Sequence, residues 1–138
     1  MILLDTSGLL AALDPDQDRH DAAAKALAAA PAPLLLSPIV LAELDFLVRR
    51  EAGRAAQLDL LDEVGRGVYQ LERFTAADVR EAGEVVARHA DLRVGLAGAS
   101  IVVLARRHGA QDVLTLDERR FRVLQGPQGP FRLLPADA

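Results

Sequence analysis

The 138-residue sequence has no cysteine and no tryptophan, and only one methionine and one tyrosine. Without cysteine there can be no disulfide, no thiolate zinc site and no thiol nucleophile. Long apolar runs are also missing, since none reaches the ~18–20 residues of a membrane-crossing helix. The amino terminus, Met1-Ile2-Leu3-Leu4-Asp5, lacks the basic start and apolar stretch of a secretory signal. These absences lead us to expect a cytoplasmic protein without a membrane partner. Positive charge is scarce too: 16 basic against 20 acidic residues give a net charge of −4. Bulk charge therefore does not hold nucleic acid, although a local basic patch stays open. Nor is there a glycine-rich phosphate loop, because Gly65-Arg66-Gly67 lacks both the spacing and a Lys-Ser/Thr ending.

What is present is a chain 51% hydrophobic and 26% charged, which excludes disorder. Its length suits one core and is short for two, so residues 1–138 read as a single domain. Short apolar runs alternate with helical patterns, the signature of an α/β domain with a parallel sheet. Strands are expected at Ile2–Leu4, Leu34–Leu36, about Val68–Leu71 and Asp112–Leu116, with Phe131–Leu134 as an edge strand. Helices are expected at about 6–13 (capped by Thr6 or Ser7), 18–30, 38–51, 54–64, 76–90 and 96–108. Ser37-Pro38 marks a helix start, Thr75 with Asp78 forms a cap, and Gly109 closes the helix from Leu96.

Two aspartates hold matching places: Asp5 follows the first strand and Asp117 follows the strand of Val113-Leu114-Thr115-Leu116. In open parallel sheets ligand chemistry gathers at the carboxyl ends of strands, so neighbouring strands would aim both into one crevice. Each also reads as a helix N-cap, for which aspartate is well suited. Glu43 is flanked at helical spacing by Ile39, Val40, Phe46 and Leu47, which predicts a carboxylate in a core-facing stripe. Asp45 would then point to solvent. A buried carboxylate pairs or binds a metal, and Arg19 or Arg93 is the alternative partner to a cation. Three such carboxylates suggest Mg²⁺ or Mn²⁺, which stabilises the ionised cluster and suits phosphodiester hydrolysis. Thr6 and Thr115 stand beside the aspartates, able to orient a carboxylate or a bound water, or to serve as a cap and a strand residue. Arg93, Arg106, Arg107, Arg119 and Arg120 are candidate phosphate contacts, with solvated faces and salt bridges as the alternative. Phe121 reads as core. His20, His89 and His108 show no ligand spacing and read as structural.

Four blocks carry a resemblance: Leu4-Asp5-Thr6-Ser7-Gly8-Leu9-Leu10-Ala11, Ser37-Pro38-Ile39-Val40-Leu41-Ala42-Glu43-Leu44, Asp91-Leu92-Arg93-Val94-Gly95-Leu96-Ala97-Gly98-Ala99-Ser100 and Leu114-Thr115-Leu116-Asp117-Glu118-Arg119-Arg120-Phe121. In this order and spacing the chain resembles the PIN-domain proteins, and more narrowly the VapC-type toxins of toxin–antitoxin pairs, across nearly its whole length. The resemblance implies a PIN-like α/β fold with a parallel sheet of four to five strands flanked by helices. It implies a Mg²⁺-dependent endoribonuclease with Asp5, Glu43 and Asp117 as catalytic metal ligands. It further implies a cognate VapB-type antitoxin seated in the groove, a homodimer, tRNA or ribosomal RNA loops as substrate, and operator DNA reached only through the antitoxin.

One position departs from the family. Gly98 stands where the family places a fourth acidic residue, an aspartate. Glycine inside a helix costs up to ~1 kcal/mol against alanine, and no turn is needed there. Asp91, seven residues upstream, is the only acidic residue in that block and would have to reach in from a loop. Two functions from different classes follow: a ribonuclease weakened at Gly98, or a catalytically crippled module that acts through its antitoxin. An aspartyl-phosphate enzyme of the haloacid-dehalogenase type would need an aspartate at Ser7, and is set aside. An Ala/Leu-rich surface on the second to fourth helices is expected to dock the antitoxin or a second protomer.

Overall fold

The computed structural model describes residues 1–138. Its centre is a parallel sheet whose inner strands are apolar on both faces, as parallel strands covered by helices must be. Strands β1 (Ile2–Leu4), β2 (Leu34–Leu36), β3 (Gln70–Leu71), β4 (Asp112–Leu114) and β7 (Arg132–Leu134) lie in the order β3-β2-β1-β4-β7. Every pairing in it is parallel. A separate hairpin joins β5 (Gln125–Gly126) to β6 (Gly129–Pro130). The third strand is shorter than the expected Val68–Leu71, because Val68 and Leu71 are exposed at the sheet edge with little to pack against.

The helices are α1 (Thr6–Leu13), α2 (His20–Ala29), α3 (Pro38–Ala52), α4 (Arg54–Gly65), α5 (Ala76–Arg88), α6 (Leu96–His108) and the short α7 (Glu118–Phe121). Ser37 caps α3 through its hydroxyl, with proline following. Thr75 and Asp78 form a full capping box on α5, and Gly109 ends α6 in the left-handed conformation. The cap of α1 differs from expectation. Asp5, not Thr6 or Ser7, holds the N-cap position, and its carboxylate makes no capping bond. It is freed for the cleft instead.

The hydrophobic core runs through the strands and α6, whose Ala99 and Ile101 to Ala105 are all buried. The first turn of α1 sits so close on the end of β4 that a Cβ at Gly8 would overlap the Leu114 carbonyl. Only glycine allows that approach. It brings the residues after β1 against those after β4. Phe121, buried as expected, meets Phe131 edge to face at 6.1 Å between ring centres. No helix is long and apolar enough to cross a membrane.

Candidate functional site

The strand order reverses at β1, so the chain leaves β1 and β4 toward opposite sides and opens a crevice at their carboxyl ends. The register pairs Leu4 with Leu114, which makes Asp5 and the segment Thr115–Asp117 neighbours. A cleft of about 580 Å³ opens there, and only five of its seventeen lining residues are hydrophobic. Asp5, Glu43 and Asp117 all line it, with Gly98 and Arg93. The sequence blocks therefore converge on one place.

Asp5 is its buried floor, 7% exposed. Its Oδ2 accepts hydrogen bonds from the Thr115 hydroxyl at 2.7 Å and the Ser7 hydroxyl at 2.9 Å. The Ser7 Oγ in turn accepts from the Leu116 N–H at 3.0 Å, and the Thr115 Oγ1 accepts from the Asp117 N–H at 2.9 Å. Two hydroxyls thus tie the end of β1 to the residues following β4. Burial pushes the Asp5 carboxyl above the usual aspartate range, and the nearby Asp117 charge adds to that. The Thr115 and Ser7 hydroxyls and the Thr6 N–H pull it back down. Thr115 has the carboxylate-orienting place expected of it. Thr6 does not: its Oγ1 is buried with no partner. Ser7 was not among the expected site residues, because a serine in the first turn of a helix reads as a cap.

Asp117 is a quarter exposed and does two things at once. It caps α7 by accepting from the Arg120 N–H at 3.2 Å, and it pairs with the Arg120 guanidinium at 3.0 Å. Glu43 corrects the expectation made for it. It is exposed rather than set in a core-facing stripe, and neither Arg19 nor Arg93 forms an ion pair with it. The buried stripe of α3 is Val40, Leu44 and Val48, while Phe46 is 63% exposed. Glu43 flanks that stripe and faces the cleft. Asp45 is half-buried, accepting from Gln57 of α4 at 2.8 Å, instead of standing free in solvent.

Gly98 lies in the first turn of α6 on the cleft wall, as expected. Its backbone has no left-handed twist, and a Cβ there would meet only Val94 Cγ1 at an ordinary 3.6 Å. Nothing steric demands glycine. The Ser100 hydroxyl lies 2.7 Å from the Ser37 hydroxyl, joining this helix to the start of α3 and so fixing Gly98 relative to Glu43. Asp91 is exposed in a 3-10 turn and does not line the cleft.

Of the arginines expected at phosphate, Arg93 and Arg120 line the cleft and Arg119 does not; Arg50, not expected there, also lines it and pairs with Glu51. Arg106 pairs with Glu81, and Arg107 with Glu72 and Asp78, all off the cleft. The histidines are structural: His20 bonds the Ala11 carbonyl, His89 the Val85 carbonyl and His108 the Glu72 carboxylate.

The donor set sets the scale of any metal site. No three acidic or histidine side chains stand close enough to cage an ion. Mg²⁺ asks for less: it keeps several waters and takes one or two carboxylates, which Asp5 at the floor with Asp117 or Glu43 at the wall can supply. These residues fit a single hard cation.

A polar cleft with four carboxylates at the switch point of a parallel sheet places the chain among the α/β proteins with a crevice at the strand ends. The chain matches the PIN domain family over residues 2–126 and belongs to that family. It is 37% identical over 135 residues, 97% of this chain and all of the relative, to Ribonuclease VapC26 of Mycobacterium tuberculosis. Among solved structures it is similar to Mycobacterium tuberculosis VapC20, a sarcin–ricin loop cleaving toxin. That similarity has a TM-score of 0.79 and 26% identity, covering 85% of this chain and 90% of the other. FitAcB from Neisseria gonorrhoeae shares the fold at a TM-score of 0.55 and 21% identity, over 82% of this chain and 85% of the other.

Proposed function

We propose that this protein is a metal-dependent endoribonuclease of the VapC toxin type, slowed by the glycine at position 98. The observation that carries this reading is the braced, buried Asp5 sharing one cleft with Glu43 and Asp117 at the ends of adjacent parallel strands. The homology to ribonucleases over nearly the full length supports RNA as substrate. Asp5 would hold Mg²⁺ or Mn²⁺, with Glu43 and Asp117 contributing directly or through water, and the ion would supply charge stabilisation and an activated water.

The chain's own residues supply the rest. Ser7 and Thr115 keep Asp5 in one orientation, and Arg93 and Arg120 bind RNA phosphates at the cleft wall. Water attacks phosphorus in line, the bond to the 3′-oxygen breaks, and that oxygen takes a proton. The products carry a 5′-phosphate and a 3′-hydroxyl. Selection falls on RNA loops, where shape and unstacked bases carry recognition. Without a carboxylate at position 98, at most one ion would be well held.

The partner in this reading is an antitoxin docked on α3 and α4, where Phe46, Leu58 and Leu61 are exposed. A homodimer, action in the cytoplasm and residues 1–138 as one functional unit belong to the same proposal. Gly98 favours a second reading, an inactive PIN-fold module that acts only through that partner. The test is prolonged incubation of total RNA with the protein and with Asp5→Asn, in Mg²⁺ and in chelator. Mg²⁺-dependent fragments bearing 5′-phosphate, absent with Asp5→Asn, are expected. Fragments equal in both proteins, or none from either, would leave the binding module as the better reading.

A further inference from the structure

Among the basic side chains around the cleft, Arg120 is the one whose guanidinium touches a carboxylate of the proposed ion site. Its Nη1 lies 3.0 Å from Asp117 Oδ2, and its Nε donates to the Arg93 carbonyl at 3.2 Å. The other oxygen of Asp117 accepts from the Arg120 backbone N–H at 3.2 Å. Both oxygens of Asp117 are therefore engaged by a single residue. Arg93 itself stands in the left-handed region, at φ 54° and ψ 47°, a conformation uncommon for any residue but glycine. That turn presents the Arg93 carbonyl to Arg120, so the backbone helps hold the guanidinium at the wall.

This contact sets up a competition. A divalent cation that takes Asp117 must displace the guanidinium or sit beside it, and like charges at that range repel. A bare phosphate gains little either, because the arginine that would bind it is already paired. An ion arriving together with a phosphodiester satisfies both groups: Asp117 goes to the ion, and Arg120 to the phosphate. At position 98 there is no carboxylate to hold the arginine aside in the meantime.

Building on the ribonuclease reading, we propose that Arg120 makes the cleft selective for a divalent cation and a phosphodiester bound together, by holding Asp117 against the cation alone. Binding of each is then coupled to binding of the other, and thermodynamic linkage makes that coupling reciprocal.

The experiment is calorimetric titration of the full chain with Mn²⁺ alone, for the unaltered protein, Arg120→Gln and Arg119→Gln. Arg119 is an exposed neighbour outside the cleft, so its replacement removes the same charge without the contact. Mn²⁺ should bind Arg120→Gln about tenfold more tightly and Arg119→Gln within about twofold of the original. A second arm measures a single-stranded RNA oligonucleotide by fluorescence anisotropy in chelator and in Ca²⁺. The cation should strengthen RNA binding to the unaltered protein by about tenfold, and this gain should largely vanish in Arg120→Gln. No tightening of Mn²⁺ in Arg120→Gln overturns the inference, as does equal tightening in both variants or an undiminished gain with RNA. Where the expected pattern appears but RNA is never cut, the inference stands and the nuclease reading fails. A protein that binds neither Mn²⁺ nor RNA defeats both.

Discussion

The floor and the wall of the cleft are built on opposite plans. At the floor, Asp5 is buried and receives two side-chain hydroxyls whose oxygens are in turn held by backbone N–H groups. At the wall, Glu43 is exposed without an ion pair, Asp117 is shared with a partly exposed arginine, and Gly98 contributes no polar atom. A buried carboxylate with two hydroxyls on one oxygen cannot turn away from the cleft without orphaning its donors, at about 1–3 kcal/mol for each group left unsatisfied. A partly exposed ion pair is far cheaper to break, and gives way to a ligand that offers both partners better contacts. The floor therefore fixes where a ligand binds, and the wall adjusts to what arrives.

The largest break in this contrast should come at the floor. Asp5→Asn is expected to lower RNA cleavage by at least about 10³-fold, while Glu43→Gln costs about 10–10²-fold, as judged by initial rates in Mg²⁺. Removing the brace comes next. Thr115→Val should lower the rate by about 10²-fold and Ser7→Ala by about tenfold, with Mn²⁺ affinity falling in the same order. A variant that loses stability but keeps its Mn²⁺ affinity would show the hydroxyls to be structural only.

The same floor carries a cost to the fold. Burial raises the Asp5 carboxyl above the usual aspartate value, so the folded state holds a proton that the unfolded chain has already lost. In that window the folded state binds more protons, and stability falls as pH rises. Once the pH exceeds the raised value the loss is complete. Asp5→Asn should therefore melt a few degrees higher than the original at pH 7 without added cation, and the gain should shrink as pH falls through the raised value and be gone below about pH 4. Melting curves across pH check this, and a lower melting point at pH 7 would contradict it.

The smallest effect is expected far from the cleft, at the carboxyl-terminal clamp. Asp137 pairs with Arg122 and accepts from the Leu133 N–H, which holds its carboxyl down to about 2. A depressed carboxyl stabilises the fold above its unfolded value and loses that contribution as pH falls through its folded one, here between about pH 4 and pH 2. Asp137→Asn should leave RNA cleavage within about twofold and flatten the acid limb of the melting curve slightly.

Much of this site was legible in the sequence because position along a strand or helix fixes direction. An aspartate directly after Ile2-Leu3-Leu4 has one place to go once β1 is central, and the same holds for the segment after Leu114. Gly98 could be placed on the cleft wall because α6 begins at its edge. Glu43 was legible in place but not in environment. Periodicity put Ile39, Val40, Phe46 and Leu47 in the buried stripe around Glu43, but packing against the neighbouring helices buries Val40 with Leu44 and Val48 instead. Ser7 was hidden because its role depends on Leu116 and Thr115, more than a hundred residues away. The four-residue α7 and the β5–β6 hairpin are too short to carry a period. The Arg120 contact is likewise tertiary, needing the left-handed turn at Arg93.

In the proposed reading the cleft is a nuclease site short of one carboxylate at position 98. The backbone there accepts a side chain, since a Cβ at Gly98 meets only Val94 at 3.6 Å. A carboxylate there would stabilise the transition state by ~3–5 kcal/mol, equivalent to ~10²–10⁴ in rate. The direct measurement is the Mg²⁺-dependent cleavage rate of total RNA by the original protein and by Gly98→Asp, each freed of its antitoxin and matched for folding by circular dichroism. A rise of at least about a hundredfold is the result this account predicts. Equal rates, whether both fast or both absent, would contradict it.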